Sequence, residues 1–336
     1  MKEAYLYEKL AQNKVRCNLC NHRCVIKEGS KGICRVRENR KGILYSLVYD
    51  KVLAPLLDPI EKQPIFHFIP GSTTFSIATV GCNFRCKFCQ NHKISQLPHD
   101  HNKITGELIP PEVIIDYAIK NDAKSISYTY TEPTVYFELC FDTARIAIEK
   151  GLKNVFVTNG YMTKECLKEI YPYLHAANVD LKSFRSQFYK HLCGAQLKHV
   201  LKTIEIIKSL GIWLEVTTLI IPGYNDSTKE LKDIAKFLVS LDPTIPWHVI
   251  KFYPEYKLMT PPPTPEKTLY KARDIGLSEG LKYVYTGNVP GNQGKNTYCP
   301  NCKKLLIERE GFYISKFNLK NGICPYCETK IEGIWN

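Results

Sequence analysis

An α/β fold built on parallel strands is what this sequence predicts, and two observations predict it. Short β-rich runs alternate with helical patterns through the middle of the chain, and the runs are apolar with little interruption. A strand covered on both faces reads in that way, whereas a strand with one face in water alternates. Repeated βα units imply a parallel sheet with right-handed crossovers. Six or seven such units suit a partial (β/α) barrel of the (β/α)6 type. A third observation bounds that core. Most of the 14 cysteines lie in groups near the two ends and just after the first run. The chain accordingly divides into a Cys-rich segment over 1–60, a partial barrel over 61–292 and a four-cysteine module over 293–336.

The first four strands are expected at TFSIATV (74–80), KSISYTY (124–130), KNVFVTN (153–159) and AANVDLK (176–182). Three more follow at IWLEVTTLI (212–220), PWHVIKFY (246–253) and KYVYTG (282–287). Helical patterns fill the gaps. In QLKHVLKTIEIIKSLG, Leu197, Val200, Leu201, Ile204 and Ile207, with Ile206 or Leu210, gather near one face, and Gly211 supplies the C-cap. TVYFELCFDTARIAIEKG behaves alike and stops at Gly151. Cys140 falls inside that pattern and Cys166 inside TKECLKEI, so both read as packed core thiols. Cys193, in HLCGA, follows an expected helix end and also reads as packing. In parallel α/β folds the chemistry collects at the carboxyl ends of the strands. Cys82 follows the first run, Glu132 follows the second, Asn159 ends the third and Asp180 the fourth.

Composition narrows the function classes. A chain of 336 residues, 44% hydrophobic, can bury a sizeable core, and nothing in it suggests disorder. The net charge of +13 can attract nucleic acid, anionic lipid or acidic substrates. The lysines are spread out, however, without a run of like charges, as on a solvated surface. The N-terminal MKEAYLYEKLAQNK lacks an apolar signal region, and no apolar run is long enough to span a bilayer. A cytoplasmic protein is therefore expected, in which cysteine groups point to metal or catalysis rather than disulfides.

Three cysteine groups stand out. Cys299, Cys302, Cys324 and Cys327 form two C-x2-C knuckles separated by 21 residues, close to a four-cysteine zinc ribbon. The link between them alternates and carries turn residues, as a β-hairpin requires. Zinc is expected in a structural role, although rubredoxin-type iron uses the same geometry. Cys17, Cys20, Cys24 and Cys34 read C-x2-C-x3-C-x9-C. Zinc, a second iron–sulfur cluster and no metal at all remain open there. His22, inside the group, is an alternative ligand, but a lone histidine so placed is more often exposed. The middle group, GCNFRCKFCQ, holds Cys82, Cys86 and Cys89 with no fourth cysteine nearby. A cubane cluster on three thiolates keeps one iron open for a substrate or cofactor. Alternatively Cys140, Cys166 or Cys193 supplies the fourth ligand.

The triplet, with the aromatic Phe88 before its last cysteine, resembles the signature of radical S-adenosylmethionine enzymes. In that family the amino and carboxylate groups of S-adenosylmethionine chelate the open iron. The resemblance implies a [4Fe–4S] cluster on Cys82, Cys86 and Cys89, with Gly81 and Phe88 shaping the loop. SYTYTEPT (127–134) sits where the family carries a Gly-Gly-Glu-like strand end that holds the methionine amino group. Thr131 and Glu132 would take that role, with Tyr130 and Thr131 standing in place of the glycines. VTNGY (157–161) and VDLKS (179–183) resemble the TNG and DLK segments of glycyl-radical activating enzymes. They imply that Thr158, Asn159, Asp180 and Lys182 flank the methionine carboxylate and ribose, with Val157 where those activators usually have an acidic residue. IIPGYNDS (220–227) resembles the later segment in which Ile220 or Ile221 would line the adenine. The N-terminal cysteines, FHFIPGSTTFSIATVGCNFRCKFCQN, TYTEP, WHVIKFYPEYK and YVYTGNVPG extend the likeness over roughly residues 15–295. Together they resemble the AmmeMemoRadiSam system radical enzymes, a branch similar to the pyruvate formate-lyase activating enzymes.

The resemblance implies reductive cleavage of S-adenosylmethionine and hydrogen abstraction by a 5′-deoxyadenosyl radical. The substrate would be a protein glycine, a small molecule or a modified side chain. It also implies an electron donor such as flavodoxin or ferredoxin, and an association with Memo-like and AMMECR-like proteins. Two other classes compete. Two closed thiolate sites and a positive charge would suit a metal-stabilised nucleic-acid binder, but no RNA or DNA module is visible. A multi-cluster electron carrier would not need so large a core.

Overall fold

The computed structural model describes residues 1–289, 291 and 293–336. Pro290 of the YVYTGNVPG segment and Asn292, the last residue of the expected barrel, lie outside them.

All seven apolar runs are strands, and they lie parallel and in chain order. Lys51–Pro59 (β1) runs antiparallel to Thr73–Ala78 (β2). From β2 the sheet continues through Ser125–Tyr128 (β3), Lys153–Thr158 (β4), Ala176–Asp180 (β5), Trp213–Ile220 (β6), Trp247–Lys251 (β7) and Val284–Gly287 (β8). The short strand Glu107–Leu108 pairs with the far edge of β1, giving a mostly parallel sheet of nine strands. One main helix occupies each crossover from β2 to β8. These are Pro111–Lys120 (α1), Phe137–Glu149 (α2), Lys164–Ile170 (α3), Leu197–Ser209 (α4), Thr228–Leu241 (α5) and Glu266–Ser278 (α6).

The helices bury the expected faces, with one exchange. On α4, Leu197, Val200, Ile204 and Ile207 are buried, while Leu201, Ile206 and Leu210 are only partly covered. Thr203 fills the remaining core position and donates from Oγ1 to the Met162 carbonyl at 3.3 Å. Cys140 in α2 and Cys166 in α3 are fully buried core thiols, as expected.

Both Cys-rich ends pack on this core. At the N-terminus two small antiparallel sheets form. One comprises Lys2–Glu3, Ile43–Ser46 and Arg37–Arg40; the other Tyr7–Lys9, Val15–Cys17 and Val25–Ile26. They attach to the loop after β4, where Asn21 N donates to Tyr161 O and Thr163 N to Leu19 O, each at 2.9 Å. At the C-terminus a hairpin of Leu305–Glu310 and Tyr313–Phe317 lies beside Thr297–Tyr298. The tail returns to the segment before β2, where Ile334 N donates to His67 O at 2.7 Å. Among the described residues no helix is long and apolar enough to cross a membrane.

Candidate active site

The triplet follows β2 through a turn that only glycine fits easily. Gly81 has φ of +104°, and a Cβ there would sit 2.6 Å from Val36 Cγ1. The chain then carries Cys82, Cys86 and Cys89 along one side of a cavity of about 330 Å³. Phe88 borders the same cavity, with its ring 5.6 Å from that of Phe188. Burial pushes the Cys82 and Cys89 thiols up, whereas a hydrogen bond from the neighbouring Cys193 lowers Cys86. Cys193 neighbours Cys86 but is not among the residues that border the cavity, nor are Cys140 and Cys166. The triplet therefore borders the cavity with three cysteines, and the carboxyl ends of the strands form the wall beside it, with Asn159 Nδ2 3.7 Å from Cys82 Sγ.

On that wall Glu132 joins two strand ends. Its Oε1 accepts from Thr134 N at 3.1 Å, Thr134 Oγ1 at 2.5 Å and Thr158 Oγ1 at 2.8 Å. Its Oε2 accepts from Asn159 N at 2.8 Å. Glu132 caps the turn Pro133–Tyr136 while bordering the cavity. Burial pushes its carboxyl above the usual range, against the four donors that oppose this. Oε2, with one donor, still has acceptor capacity. Before it, Tyr130 has φ of +61°, so the chain takes a glycine-like conformation although no glycine is present. Thr131 donates from Oγ1 to Thr79 O at 2.9 Å and borders the cavity.

The remaining expected residues separate into those that meet and one that does not. Thr158, Asn159, Asp180 and Lys182 all border the cavity. Asn159 is fixed by Nδ2 on Asn83 Oδ1 at 2.7 Å and by Oδ1 accepting from Tyr161 N at 3.1 Å. Lys182 Nζ lies 2.8 Å from Asp180 Oδ2 and 5.9 Å from the centre of the Phe88 ring. Burial works to lower the Lys182 pKa, but Asp180 and Cys86 overcome it and hold the ammonium well above its ordinary value. Ile221 is buried and donates from N to Asn225 Oδ1 at 2.6 Å; Thr217 and Leu219 on β6 border the cavity, whereas Ile221 does not.

Sequence reasoning passed over several residues of this cavity. Asn178 precedes Asp180 by two on β5 and so shares its face. The Asn178 Oδ1 and Thr217 Oγ1 atoms are buried without a hydrogen-bond partner. The alternation of polar residues at 178 and 180 was the available signal. His248 also borders the cavity, yet its Nε2 is held by Glu215 Oε2 at 2.6 Å. From the C-terminal region, Lys295, Gly311 and Phe312 complete the rim.

The C-terminal cysteines converge. Cys299 Sγ lies 3.5 Å from Cys327 Sγ and Cys302 Sγ 3.6 Å from Cys324 Sγ, and all four sulfurs fall within 4.8 Å of one another. That spacing can hold one metal ion. Cys17, Cys20, Cys24 and Cys34 face a separate small cavity of about 20 Å³. His22 borders it half-buried, with Nε2 2.9 Å from the Asn83 carbonyl rather than free in water.

Residues 76–238 match the family described as the Radical SAM superfamily. An uncharacterised protein of Methanocaldococcus jannaschii is 50% identical over 99% of both chains. A GTP 3′,8-cyclase of Aquifex aeolicus is 30% identical, covering 76% of this chain and 85% of that one. A second M. jannaschii protein, named as a glycyl-radical enzyme activating enzyme, is 25% identical over 61% of this chain and 78% of its own. The fold is also that of a radical SAM methyltransferase from Sphaerobacter thermophilus, at a TM-score of 0.52 and 15% identity over 65% of this chain and 67% of that chain. A thiol triplet at the end of β2, the parallel sheet that positions it and these relatives agree, and the chain belongs to the Radical SAM superfamily.

Proposed function

We propose that the chain binds a [4Fe–4S] cluster through Cys82, Cys86 and Cys89 and cleaves S-adenosylmethionine reductively, forming a 5′-deoxyadenosyl radical that takes hydrogen from a substrate C–H bond. The observation that carries this reading is the convergence of three thiols, Glu132 and the Asp180–Lys182 pair on one cavity. The cluster, when bound, supplies the electron that breaks the sulfonium C–S bond. The chain's own residues bind and orient. Glu132 Oε2 suits the methionine amino group, supported by Thr131. Lys182 suits the methionine carboxylate and Asp180 the ribose hydroxyls, with Thr158 and Asn159 fixing the loop between. Leu219 offers the adenine an apolar wall, and the unpaired Asn178 Oδ1 and Thr217 Oγ1 await donors of the kind a nucleoside carries.

A backbone glycine of a partner protein is the first substrate reading, supported by relatives named glycyl-radical enzyme activating enzymes. A small-molecule substrate is the second, favoured by relatives named GTP 3′,8-cyclase. The narrower AmmeMemoRadiSam assignment, a flavodoxin or ferredoxin donor, Memo-like and AMMECR-like partners and a cytoplasmic setting belong to the same proposal. So do a partial-barrel curl of the sheet and zinc in a ribbon formed by Cys299, Cys302, Cys324 and Cys327. The test is anaerobic: the reconstituted, reduced protein should release 5′-deoxyadenosine from S-adenosylmethionine, and Cys86→Ala should release none. A fully loaded wild type that stays silent even with cell extract would sink the reading. Deuterium transferred into 5′-deoxyadenosine from a deuterated-glycine proteome, but not from its small-molecule fraction, would favour the protein substrate.

A further inference from the structure

We infer that Cys17, Cys20, Cys24 and Cys34 hold a second iron–sulfur cluster, and that the Arg37 guanidinium donates hydrogen bonds to its sulfurs. The inference does not rest on the proposed reaction. All four thiols face one small cavity of about 20 Å³, so they are assembled as a set although they come from a strand end and two loops. Their spacing separates them from a single-ion site. A lone tetrahedral ion draws four thiolates together, as in the C-terminal group, where every sulfur lies within 4.8 Å of the others. Among the described residues neither the N-terminal four nor the catalytic triplet meets that spacing. A cubane keeps thiolates farther apart, because each binds its own iron.

Arg37 provides the independent observation. It is 2% exposed and borders the same cavity. One arm, Nη2, is satisfied by Glu138 Oε2 at 2.5 Å. Its Nε and Nη1 are buried without a partner. Buried donors are nearly always paired, and cluster sulfurs are acceptors whose hydrogen bonds tune the potential. The cavity also touches the active site. Asn83, next to Cys82, borders it, as does Thr134, which is bonded to Glu132. The turn at Gly81 packs against Val36 and the Cys34 carbonyl. A cluster here would therefore sit behind the wall of the catalytic cavity.

The test uses the full chain with Cys82, Cys86 and Cys89 all changed to Ala, reconstituted anaerobically with iron and sulfide. Iron, sulfide and zinc are counted per chain, and the reduced protein is examined by electron paramagnetic resonance. The inference expects roughly four irons and four sulfides to remain, with a signal that S-adenosylmethionine leaves unchanged. The same iron should be lost on adding Cys20→Ser and Cys24→Ser, while a C-terminal metal and the far-ultraviolet circular dichroism are kept. Arg37→Lys should keep the iron count and shift the midpoint potential of that signal. Zinc in place of iron at the N-terminal four, or no iron in the triplet variant while the fold is intact, would overturn the inference. An unmoved potential in Arg37→Lys would remove Arg37 from it.

Discussion

Asn178 and Thr217 stand on neighbouring strands, face one cavity and each bury an oxygen without a partner. Leaving such a group unpaired costs about 1–3 kcal/mol, so these atoms mark where a polar ligand is expected. Thr217→Val keeps the shape and removes the hydroxyl. Its thermal stability should be equal or slightly higher, while affinity for S-adenosylmethionine should fall about fivefold, the scale of one neutral hydrogen bond. Equilibrium dialysis on the cluster-loaded protein measures this, and an unchanged affinity would exclude Thr217 from the ligand's contacts. Glu132→Gln should behave differently. Four donors converge on that carboxylate, and an amide nitrogen cannot accept from them. A loss of about 2–3 kcal/mol in urea denaturation is expected, together with loss of cosubstrate binding; a variant of wild-type stability would mean that those hydrogen bonds contribute little. The triplet and Glu132 were legible from sequence because their spacing and order are distinctive. Thr217 was not, since a polar residue in a buried strand looks the same whether it faces a helix or a cavity, and Asn178 was marked only by its alternation with Asp180.

The elements were legible in proportion to how continuous their apolar character is. Strands covered by helices on both faces announce themselves, and all seven parallel strands fall within the expected runs or a residue of them. The long antiparallel β1 was missed for a physical reason. It contains Pro55 and Pro59, it is half-exposed through its middle, and its register breaks between Leu53 and Leu56, where Ala54 has φ of +47°. Prolines and bulges of that kind argue against a strand in sequence. The N-terminal strands are two to four residues long and give no period to read. The junction of these two regions supplies a prediction. Gly81→Ala adds a Cβ 2.6 Å from Val36 Cγ1 at a φ of +104°. Left-handed strain and overpacking together should cost roughly 2–4 kcal/mol and reduce cluster loading. Val36→Ala in the same chain relieves the collision but not the strain, so it should restore about half of the loss. Denaturant midpoints and iron content read both effects. A Gly81→Ala protein as stable as wild type would show that the turn can relax.

At the scale of the whole molecule, both ends of the chain pack on the sheet: the N-terminal cysteines share a small cavity with Asn83 and Thr134, and the C-terminal tail meets the segment before β2. His67 lies in that second seam. It is fully buried among the rings of Tyr283, Tyr285 and Trp335. Nδ1 donates to the Glu332 carbonyl at 2.6 Å and Nε2 lies 2.5 Å from the Tyr285 hydroxyl. The neutral ring satisfies both contacts, one as donor and one as acceptor. Burial lowers its pKa from 6.5 to about 4. The unfolded chain therefore binds a proton that the folded chain refuses between these values. The stabilisation is present in full above the unfolded pKa and is lost as pH falls toward the folded one, by about 3 kcal/mol in all. His67→Gln can keep a donor and an acceptor but cannot titrate. Its urea stability should decline less than that of wild type between about pH 7 and about pH 4.5, a range that covers most of the window between the two pKa values. Because Glu332 and Ile334 hang on this seam, hydrogen exchange in the C-terminal tail should rise first on acidification, ahead of β3 to β6. Parallel decline of the two proteins, or uniform exchange across the sheet, would assign the acid sensitivity to other groups and leave His67 as packing alone.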